Sequence, residues 1–514
     1  MPSGTRKPRT SEAMRLTLGA LSCAMCVALG TATAAAQPRA PSPHATATPN
    51  PFAYTGYVRS YYFTRQNASN GVHLANQASW NTALNLHGSY NFVNSGFSLG
   101  ATYLYANPLN QCGTPLSHLS PPCGKLAPPA LNPDDTLPGF DLSTLYEAYA
   151  QYKGGGTFAR LGDQVINTPF ANGSDGRLKP AAFQGGYLAY KFSPRWTGAA
   201  AYMTRFEGRV NSAFENSTLL TSHPADAPGV PSNIYTPGGG PITTNGFGYA
   251  RLGYAGNGLS ANVYYYAMAN IANLLWLDGK YTWKKAALKP YLAVQFGDEG
   301  NAGSAVLGKI AATGAGVQAG VSLARGLGFS VGYDEVPVRN DTVVLPAGVA
   351  CGANAQISVK PGTTFGYFLP AAGTPNCAKN ANGTTTIYYG GFASPYTDSY
   401  VSDPFFTTSM TQGMVDRHSP GSSVRMTLAF SSGDQRFKGS VSRALYEYGD
   451  SASGTSPTQE TDVDAFWYFD RVGKGAYRGL LLHERYAVRT QSNTRAYGGL
   501  PLFKYTRTQV EYDF

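Results

Sequence analysis

Nine basic residues in this chain share one positional property. Arg59, Arg160, Arg205, Arg251, Lys280, Lys284, Arg425, Arg485 and Arg507 each carry the parity of the polar side of a segment in which apolar and polar residues alternate. In an extended chain successive side chains point to opposite faces, so each basic group would stand opposite the apolar set. An arginine presents a fixed fork of donors that fits a carboxylate. A column of such groups would pass a small anion from one weak site to the next. For any single residue, ordinary solvation of a wet polar face is an equal account.

Other chemistry finds little support. The G-x-S-x-G serine motif is absent, and the seven histidines are scattered, with His87 and His483 alone on polar faces. A lone histidine in that setting is more often solvated than a ligand or a base. Asp298 and Glu299 are adjacent at the end of a strand-like run and do not read as an acid/base pair. No P-loop or dinucleotide signature occurs, and the "GGGP" at 238–241 reads as loop. No metal site, cofactor or nucleic-acid surface is expected.

The elements that carry the basic residues are unusually long. In "SWNTALNLHGSYNF", Trp80, Thr82, Leu84, Leu86, Gly88, Tyr90 and Phe92 occupy one face, while Ser79, Asn81, Ala83, Asn85, His87, Ser89 and Asn91 occupy the other. Globular strands usually run about 5–6 residues, whereas a strand crossing a bilayer at a tilt needs about 9–11. The alternation recurs at Phe97–Tyr105, Leu288–Phe296, Val424–Phe430 and Leu480–Val488, where Glu484 interrupts the apolar side. The chain ends in the same way: in "TRTQVEYDF", Val510, Tyr512 and Phe514 form an apolar face.

Composition agrees. Charged residues are 13% of the chain, about half the usual level for soluble domains of roughly 25%, yet mean hydropathy is −0.22. Arg6, Lys7, Arg9 and Arg15 precede the apolar run "LTLGALSCAMCVALGTATAAA", and Ala34 and Ala36 offer a cleavage site before Gln37. Residues 1–36 therefore read as a secretory signal peptide. A lipid-modified Cys23 or Cys26 is disfavoured, because neither has a leucine three places earlier. Residues 37–51, "QPRAPSPHATATPNP", read as a flexible mature N-terminus. No later window holds the ~18 apolar residues of a membrane helix. An exported chain would then cross a membrane only with strands, and only as a closed barrel, because hydrocarbon cannot satisfy an open edge.

The expected fold is all-β: a transmembrane antiparallel barrel over residues 52–514. Seventeen or eighteen candidate strands are visible, and single-chain barrels favour an even number. Short connectors such as "NSG" (94–96) alternate with long ones at 107–141, 208–245 and 336–420, matching a barrel with turns on the periplasmic side and loops outside. A soluble β-sandwich or propeller would not sustain such long alternation. Cys112 with Cys123, and Cys351 with Cys377, would each staple a long loop in an oxidising compartment. The formal charge of +10 falls to about +7 once the four basic residues and one acid of the signal segment are removed. That mild bias suits anionic solutes or lipopolysaccharide phosphates without selecting either.

The stretch "FARLGDQVINTPFANGSDGRLKPAAFQGGYLAYKF" (158–192) resembles the OprD-type porin family at Gly162, Asp163, Thr168, Pro169, Asp175, Arg177, Pro180, Phe183 and Gly185. "VRSYYFTRQ" (58–66) is similar to that family's opening strand. The resemblance implies an eighteen-stranded monomeric channel of the Gram-negative outer membrane. Its third external loop would fold inward as a constriction, with loop acids facing a basic ladder and small carboxylate-bearing solutes as substrates. It also implies that the barrel-assembly machinery reads Val510, Tyr512 and Phe514. Within the loop, Asp163 and Asp175 could set a transverse field. Asp175 with Arg177 could instead pin the loop, while Pro169 and Pro180 stiffen the fold-back. The insertion at 336–420 and both cysteine pairs depart from the family pattern.

The resulting expectation is a passive porin for small hydrophilic, preferably anionic solutes. No plug domain for energised uptake is expected, since strands begin at Phe52. A barrel whose stapled loops act as an adhesin or receptor, and a barrel enzyme, are the alternatives.

Overall fold

Alternation over ten or more residues leaves one arrangement that pairs every backbone group, and the chain adopts it. The structure, a computed structural model, describes residues 51–69, 74–109, 131–132, 137, 141–174, 177–220, 243–323, 326–345, 367, 377–397, 402–451, 454–470, 479–490 and 502–514. The signal segment, residues 37–50, Asp175, Cys112, Cys123 and Cys351 lie outside these.

Eighteen strands form the closed sheet. They are β1 (Phe52–Ser69), β2 (Leu74–Asn91), β3 (Phe97–Pro108), β4 (Leu142–Gly154), β5 (Thr157–Gln164), β6 (Ala182–Lys191), β7 (Trp196–Glu207), β8 (Phe247–Gly256) and β9 (Leu259–Met268). The second half comprises β10 (Ala272–Thr282), β11 (Tyr291–Asn301), β12 (Ala311–Ser322), β13 (Leu327–Val336), β14 (Gly421–Ser431), β15 (Phe437–Ser451), β16 (Gly454–Tyr468), β17 (Leu480–Arg489) and β18 (Phe503–Asp513). Each strand pairs antiparallel with the next. β18 closes the ring on β1, from Tyr57 opposite Asp513 to Gln66 opposite Lys504. The last residue joins the seam, because Phe514 and Gly56 exchange both backbone hydrogen bonds, at 2.9 and 3.0 Å.

The two ends of the barrel differ. At the end that holds Phe52 and Phe514, tight connections join the strands. Asn257–Gly258 between β8 and β9 has φ of 53° and 89°, and Gly155–Gly156 between β4 and β5 has 56° and 84°. Two successive positive φ values make the type I′ hairpin turn whose twist suits paired strands. Aromatic pairs ring this end on the outward face. Phe52–Tyr90, Phe97–Tyr152, Trp196–Tyr254, Tyr281–Trp283 and Phe430–Phe437 have centroids 4.8–5.0 Å apart. Such a girdle sits where an outer-membrane barrel meets the interface. The long connections at 109–141, 165–181, 208–246 and 337–420 emerge from the opposite end.

Outward faces are apolar and exposed: Val58 and Tyr62 on β1, Leu292, Val294 and Phe296 on β11, Val510 and Tyr512 on β18. The buried aromatics lie inside instead. One cluster gathers Phe170, Phe183, Phe247, Tyr266, Trp276, Phe392, Tyr396 and Phe405, and another gathers Tyr61, Phe63, Leu104, Tyr146, Leu178 and Tyr505. Both join the barrel wall to segments of the long loops. The barrel is thus apolar toward lipid and, at its loop end, also packed within.

Candidate functional site

The constriction begins with the connection from β5 to β6. Residues Asn167–Thr168 and Ala171–Asn172 form a miniature hairpin with Pro169 at its tip. Thr168 Oγ1 donates to the Ala171 carbonyl at 2.7 Å and accepts from the Ala171 amide at 3.2 Å, which fixes the turn. Phe170 drives the tip into the lumen and stacks edge-on against Trp276, with centroids 5.2 Å apart. The segment is then tied back to the wall. Tyr57 donates to the Leu178 carbonyl at 2.6 Å, and Arg59 donates to the Arg177 carbonyl. The Arg177 guanidinium lies 4.7 Å from the Phe63 ring centroid. Lys179 reaches Glu207 at 2.7 Å and the Gly208 carbonyl at 2.8 Å, fully enclosed. Burial pushes the Lys179 pKa down, and Glu207 opposes that shift. Pro180 sits where the loop closes, beside the Ala181 amide that donates to the Gly173 carbonyl at 3.1 Å. Phe183 begins β6 within the core.

A second inward segment meets the first. Residues 391–397 and 402–420, in the latter part of the connection from β13 to β14, fold into the barrel instead of standing outside it. Tyr396 forms a parallel bridge with Ala171, and Thr397 Oγ1 donates to Asn172 Oδ1 at 2.9 Å. Inward-facing acids of the wall hold this segment by its amides. Glu299 accepts from the Ala393 amide at 2.6 Å, Asp334 from Thr407 at 2.6 Å, Glu460 from Thr411 at 2.7 Å and Asp462 from Met410 at 3.3 Å. Each is a hydrogen bond from a loop amide to an enclosed wall carboxyl, and together they fasten the segment. Within the segment, Asp403 accepts amide hydrogen bonds from Phe405, Val415 and Asp416 at 2.9–3.0 Å. His418 donates Nδ1–H to the Phe392 carbonyl at 2.9 Å, and burial lowers its pKa to about 4. Alternation is silent about these irregular residues, which is why an external loop over the whole of 336–420 is expected from the sequence and the inward course is not. Acids with inward parity at the loop ends of β11, β13 and β16 are the signal that could have shown the anchoring.

The basic residues divide into three groups. Arg59, Arg160, Arg251, Lys280, Arg425, Arg485 and Arg507 face the lumen. Arg205 does not. A β-bulge between Met203 and Arg205 places Thr204 as an extra residue, so Phe206 points inward and Arg205 outward. A bulge opposes two residues to one, which shifts the parity of everything after it. Arg205 there bonds Asn216 at 3.2 Å. Asp163 is outward too, on the parity of the exposed Leu161, and accepts from Gln184 at 2.9 Å. Lys284 lies in the exposed turn between β10 and β11, because β10 ends at Thr282.

Of the lumenal set, several are committed to the scaffold. Arg59 pairs with Glu511, Arg485 with Asp464 at 3.4 Å, and Arg425 with the Thr408 carbonyl, with Ser442 at 2.9 Å and with Asp462 at 3.7 Å. Arg507 bonds Gln509 at 3.0 Å over the Tyr61 ring. A second group has mainly neutral partners. Arg160 donates Nε and Nη2 to Gln151 at 3.1 and 2.7 Å, with Glu147 at 3.7 Å. Arg251 donates the same two groups to Asn262 at 3.0 and 2.7 Å, and Asn262 in turn donates to Asp278 at 2.7 Å. Lys280 sits 3.8 Å from the Tyr291 ring centroid. Tyr187, opposite Arg160 in register, lies between the first two. These residues were not separable by parity, since partner identity depends on strand register.

His483 is not alone on its face. It lies 2.6 Å from Asp464 and stacks on Phe466 at 3.8 Å. Asp298 and Glu299 point to opposite faces, Asp298 accepting from Thr313 at 2.9 Å on the outside. Cys377 is buried and disulfide-bonded. Among the described residues no group of three or more potential ligands could hold a metal ion.

An eighteen-stranded antiparallel barrel with an aromatic girdle and a loop folded into its lumen defines the porin class of fold. The particular fold is that of the OprD-type porins. Neither a family model nor a curated protein matches the sequence, but solved structures match the fold. Pseudomonas aeruginosa OccK9 (OpdG) aligns with a TM-score of 0.61 at 15% identity, over 90% of this chain and 98% of that one. Acinetobacter baumannii OccAB3 gives 0.63 at 12% identity, over 90% and 99%. Pseudomonas aeruginosa OpdK, solved with vanillate, gives 0.57 at 15% identity, over 90% and 98%.

Proposed function

We propose that this protein is an outer-membrane porin of a Gram-negative bacterium that admits small hydrophilic solutes by passive diffusion and favours anions bearing a carboxylate. The carrying observation is the arc of Arg160, Arg251 and Lys280 in the lumen, where the two guanidinium groups are oriented by neutral amide oxygens and the Lys280 ammonium lies against the Tyr291 ring. An arginine held through Nε and one Nη keeps its remaining N–H groups for a passing anion. Glu147 and Asp278 nearby limit the depth of any one site, and weak successive binding is what conduction requires. Vanillate in OpdK is a small aromatic carboxylate of the kind such an arc would suit. In this reading the signal segment exports the chain, and the aromatic strand ending at Phe514 is what the barrel-assembly machinery engages.

The structural neighbours are channels. The alternative of a barrel whose stapled loops at 107–141 and 336–420 serve as adhesin or receptor draws less support from the second loop, because residues 391–397 and 402–420 course inward. The test is single-channel recording of refolded protein with reversal potentials in a salt gradient. Anion-favouring steps blocked by millimolar aromatic carboxylates are expected. Cation selectivity would remove the proposed solute class, and silence from folded protein would remove the channel.

A further inference from the structure

Lys284, expected in the lumen from its parity, sits instead in a turn of particular composition. Residues 283–290, "WKKAALKP", join β10 to β11 at the end of the barrel that holds Phe514. The Trp283 amide donates to the Pro290 carbonyl at 2.9 Å and closes the turn, and within it the Lys289 amide donates to the Ala286 carbonyl at 2.9 Å. The Leu288 carbonyl accepts from the Ser322 amide, at the end of β12, at 2.6 Å. That bond ties the turn sideways to the next strand but one along the ring, so the turn lies along the rim of the barrel and does not hang clear of it.

Two kinds of side chain share the turn. Trp283 and Leu288 are exposed and apolar, on the outward parity of Tyr281 and Leu292. Trp283 packs edge-on against Tyr281 within the aromatic girdle. Lys284, Lys285 and Lys289 are exposed as well. The basic character continues around this end, with Lys153 on β4, Lys191 at the end of β6 and Arg195 just before β7, all exposed. In the sequence, the connections at this end from β2 to β13 contain no Asp or Glu. Asp434, Asp470 and Asp513, acids of the same end, belong to the β14–β18 side. The outward face toward the loops is of mixed sign, with Asp298 and Glu335 as well as Arg205 and Arg443.

We propose that the 283–290 turn binds the anionic headgroup of a phospholipid in the inner leaflet of the outer membrane. Trp283 and Leu288 stand at the level where aromatic and aliphatic side chains enter the acyl boundary. The three lysines are thereby held at headgroup height, where their stems cover apolar surface and their ammonium groups reach phosphate. Basic groups fixed at that level attract anionic headgroups, and the attraction fades within a Debye length. An anionic partner deeper in the periplasm, such as the carboxylates of the cell wall, is met less well by a turn fastened along the rim. This inference rests on the outer-membrane placement proposed above and is independent of the solute.

The test is native mass spectrometry of the folded, full-length barrel in mild detergent, titrated with dioleoyl phosphatidylglycerol or, separately, with dioleoyl phosphatidylcholine. The acyl chains are the same, so only the headgroup charge differs. The wild type should bind the first phosphatidylglycerol about five-fold more tightly than the first phosphatidylcholine. Lys284→Gln/Lys285→Gln/Lys289→Gln should bring that ratio close to one, and Lys284→Arg/Lys285→Arg/Lys289→Arg should keep it. Heat-modifiable gel mobility shows that each variant is folded. Equal binding of the two lipids by the folded wild type overturns the proposal. So does a preference for phosphatidylglycerol that persists in the glutamine variant, which would place the lipid elsewhere on the barrel. Equal lipid binding, together with sedimentation on purified cell-wall sacculi that the glutamine variant loses, would assign the turn to the cell wall instead. Lipid binding is read without conduction, so it can fail while the channel stands, and a silent channel leaves it readable.

Discussion

Lys179 Nζ lies 2.7 Å from Glu207 Oε1, and the two side chains are 0% and 1% exposed. Thr144 adds a 2.8 Å hydrogen bond to the same oxygen. This enclosed pair fastens the β5–β6 loop to the end of β7 and so fixes the constriction. Removing one partner of a buried pair leaves an uncompensated charge and costs about 3–5 kcal/mol, whereas replacing both can be nearly neutral. Lys179→Met should therefore release the loop, and Lys179→Met/Glu207→Leu should hold it better. Single-channel recordings would show larger, noisier steps in the single variant than in the double one.

Selectivity should follow the amide-held residues and not the ion-paired ones. Arg251→Ala removes a lumenal charge whose partner is Asn262. At a wet site this is worth about 0.5–1 kcal/mol, or roughly a two- to five-fold fall in the anion/cation permeability ratio. Arg485→Ala removes a charge already opposed by Asp464, and should shift the reversal potential less.

The second inward segment should be releasable from the wall. Glu299 and Asp334 each accept a loop amide at 2.6 Å. Hydrogen bonds of this kind contribute a net of about 0.5–1.5 kcal/mol apiece. Glu299→Ala/Asp334→Ala should raise unit conductance and make Thr407 accessible to proteases, which limited proteolysis would read. Unchanged conductance would show that the segment does not narrow the path.

Protonation of His418 should loosen the same segment. His418 is buried, with a pKa near 4 against about 6.5 in an unfolded chain. Burial is the main cause, and Arg417 adds to it; the Phe392 carbonyl opposes. Between those two values the released loop binds a proton that the packed loop does not, so the packed state loses stability as pH falls. Asp403, also enclosed, has its pKa raised by burial and would favour the packed loop toward acid. The His418 contribution is therefore isolated by comparison with His418→Gln, whose open probability should rise less between pH 6.5 and pH 4.

Barrel closure should depend on the final residue. Phe514 exchanges two backbone hydrogen bonds with Gly56, and a Cβ on Gly56 would sit 2.8 Å from the Phe514 ring. Deleting Phe514 removes both bonds, about 0.5–1.5 kcal/mol each, together with its ring. The fraction of heat-modifiable, folded barrel should drop, and Gly56→Val should lower it as well.

The strands were legible because a barrel in lipid imposes a rule on every residue. A segment such as 79–92 must alternate, since one face meets hydrocarbon and the other meets the lumen, and no partner elsewhere in the chain relaxes that demand. The final strand ending at Phe514 was legible for the same local reason, whereas the fold-back that carries Thr168, Pro169 and Pro180 was expected only from the resemblance of 158–192 to the OprD-type family. Tertiary structure decided the rest. A single bulge at Thr204 turned Arg205 from lumen to exterior, and nothing in the residues on either side announces it. Strand register chose which arginines meet Asp or Glu and which meet Gln151 or Asn262. The folding of 391–397 and 402–420 into the barrel arises from contacts with Glu299, Asp334, Glu460 and Tyr446, residues distant in sequence. Periodicity records what each residue owes to its surroundings; pairing energies depend on which residues the closed ring brings together.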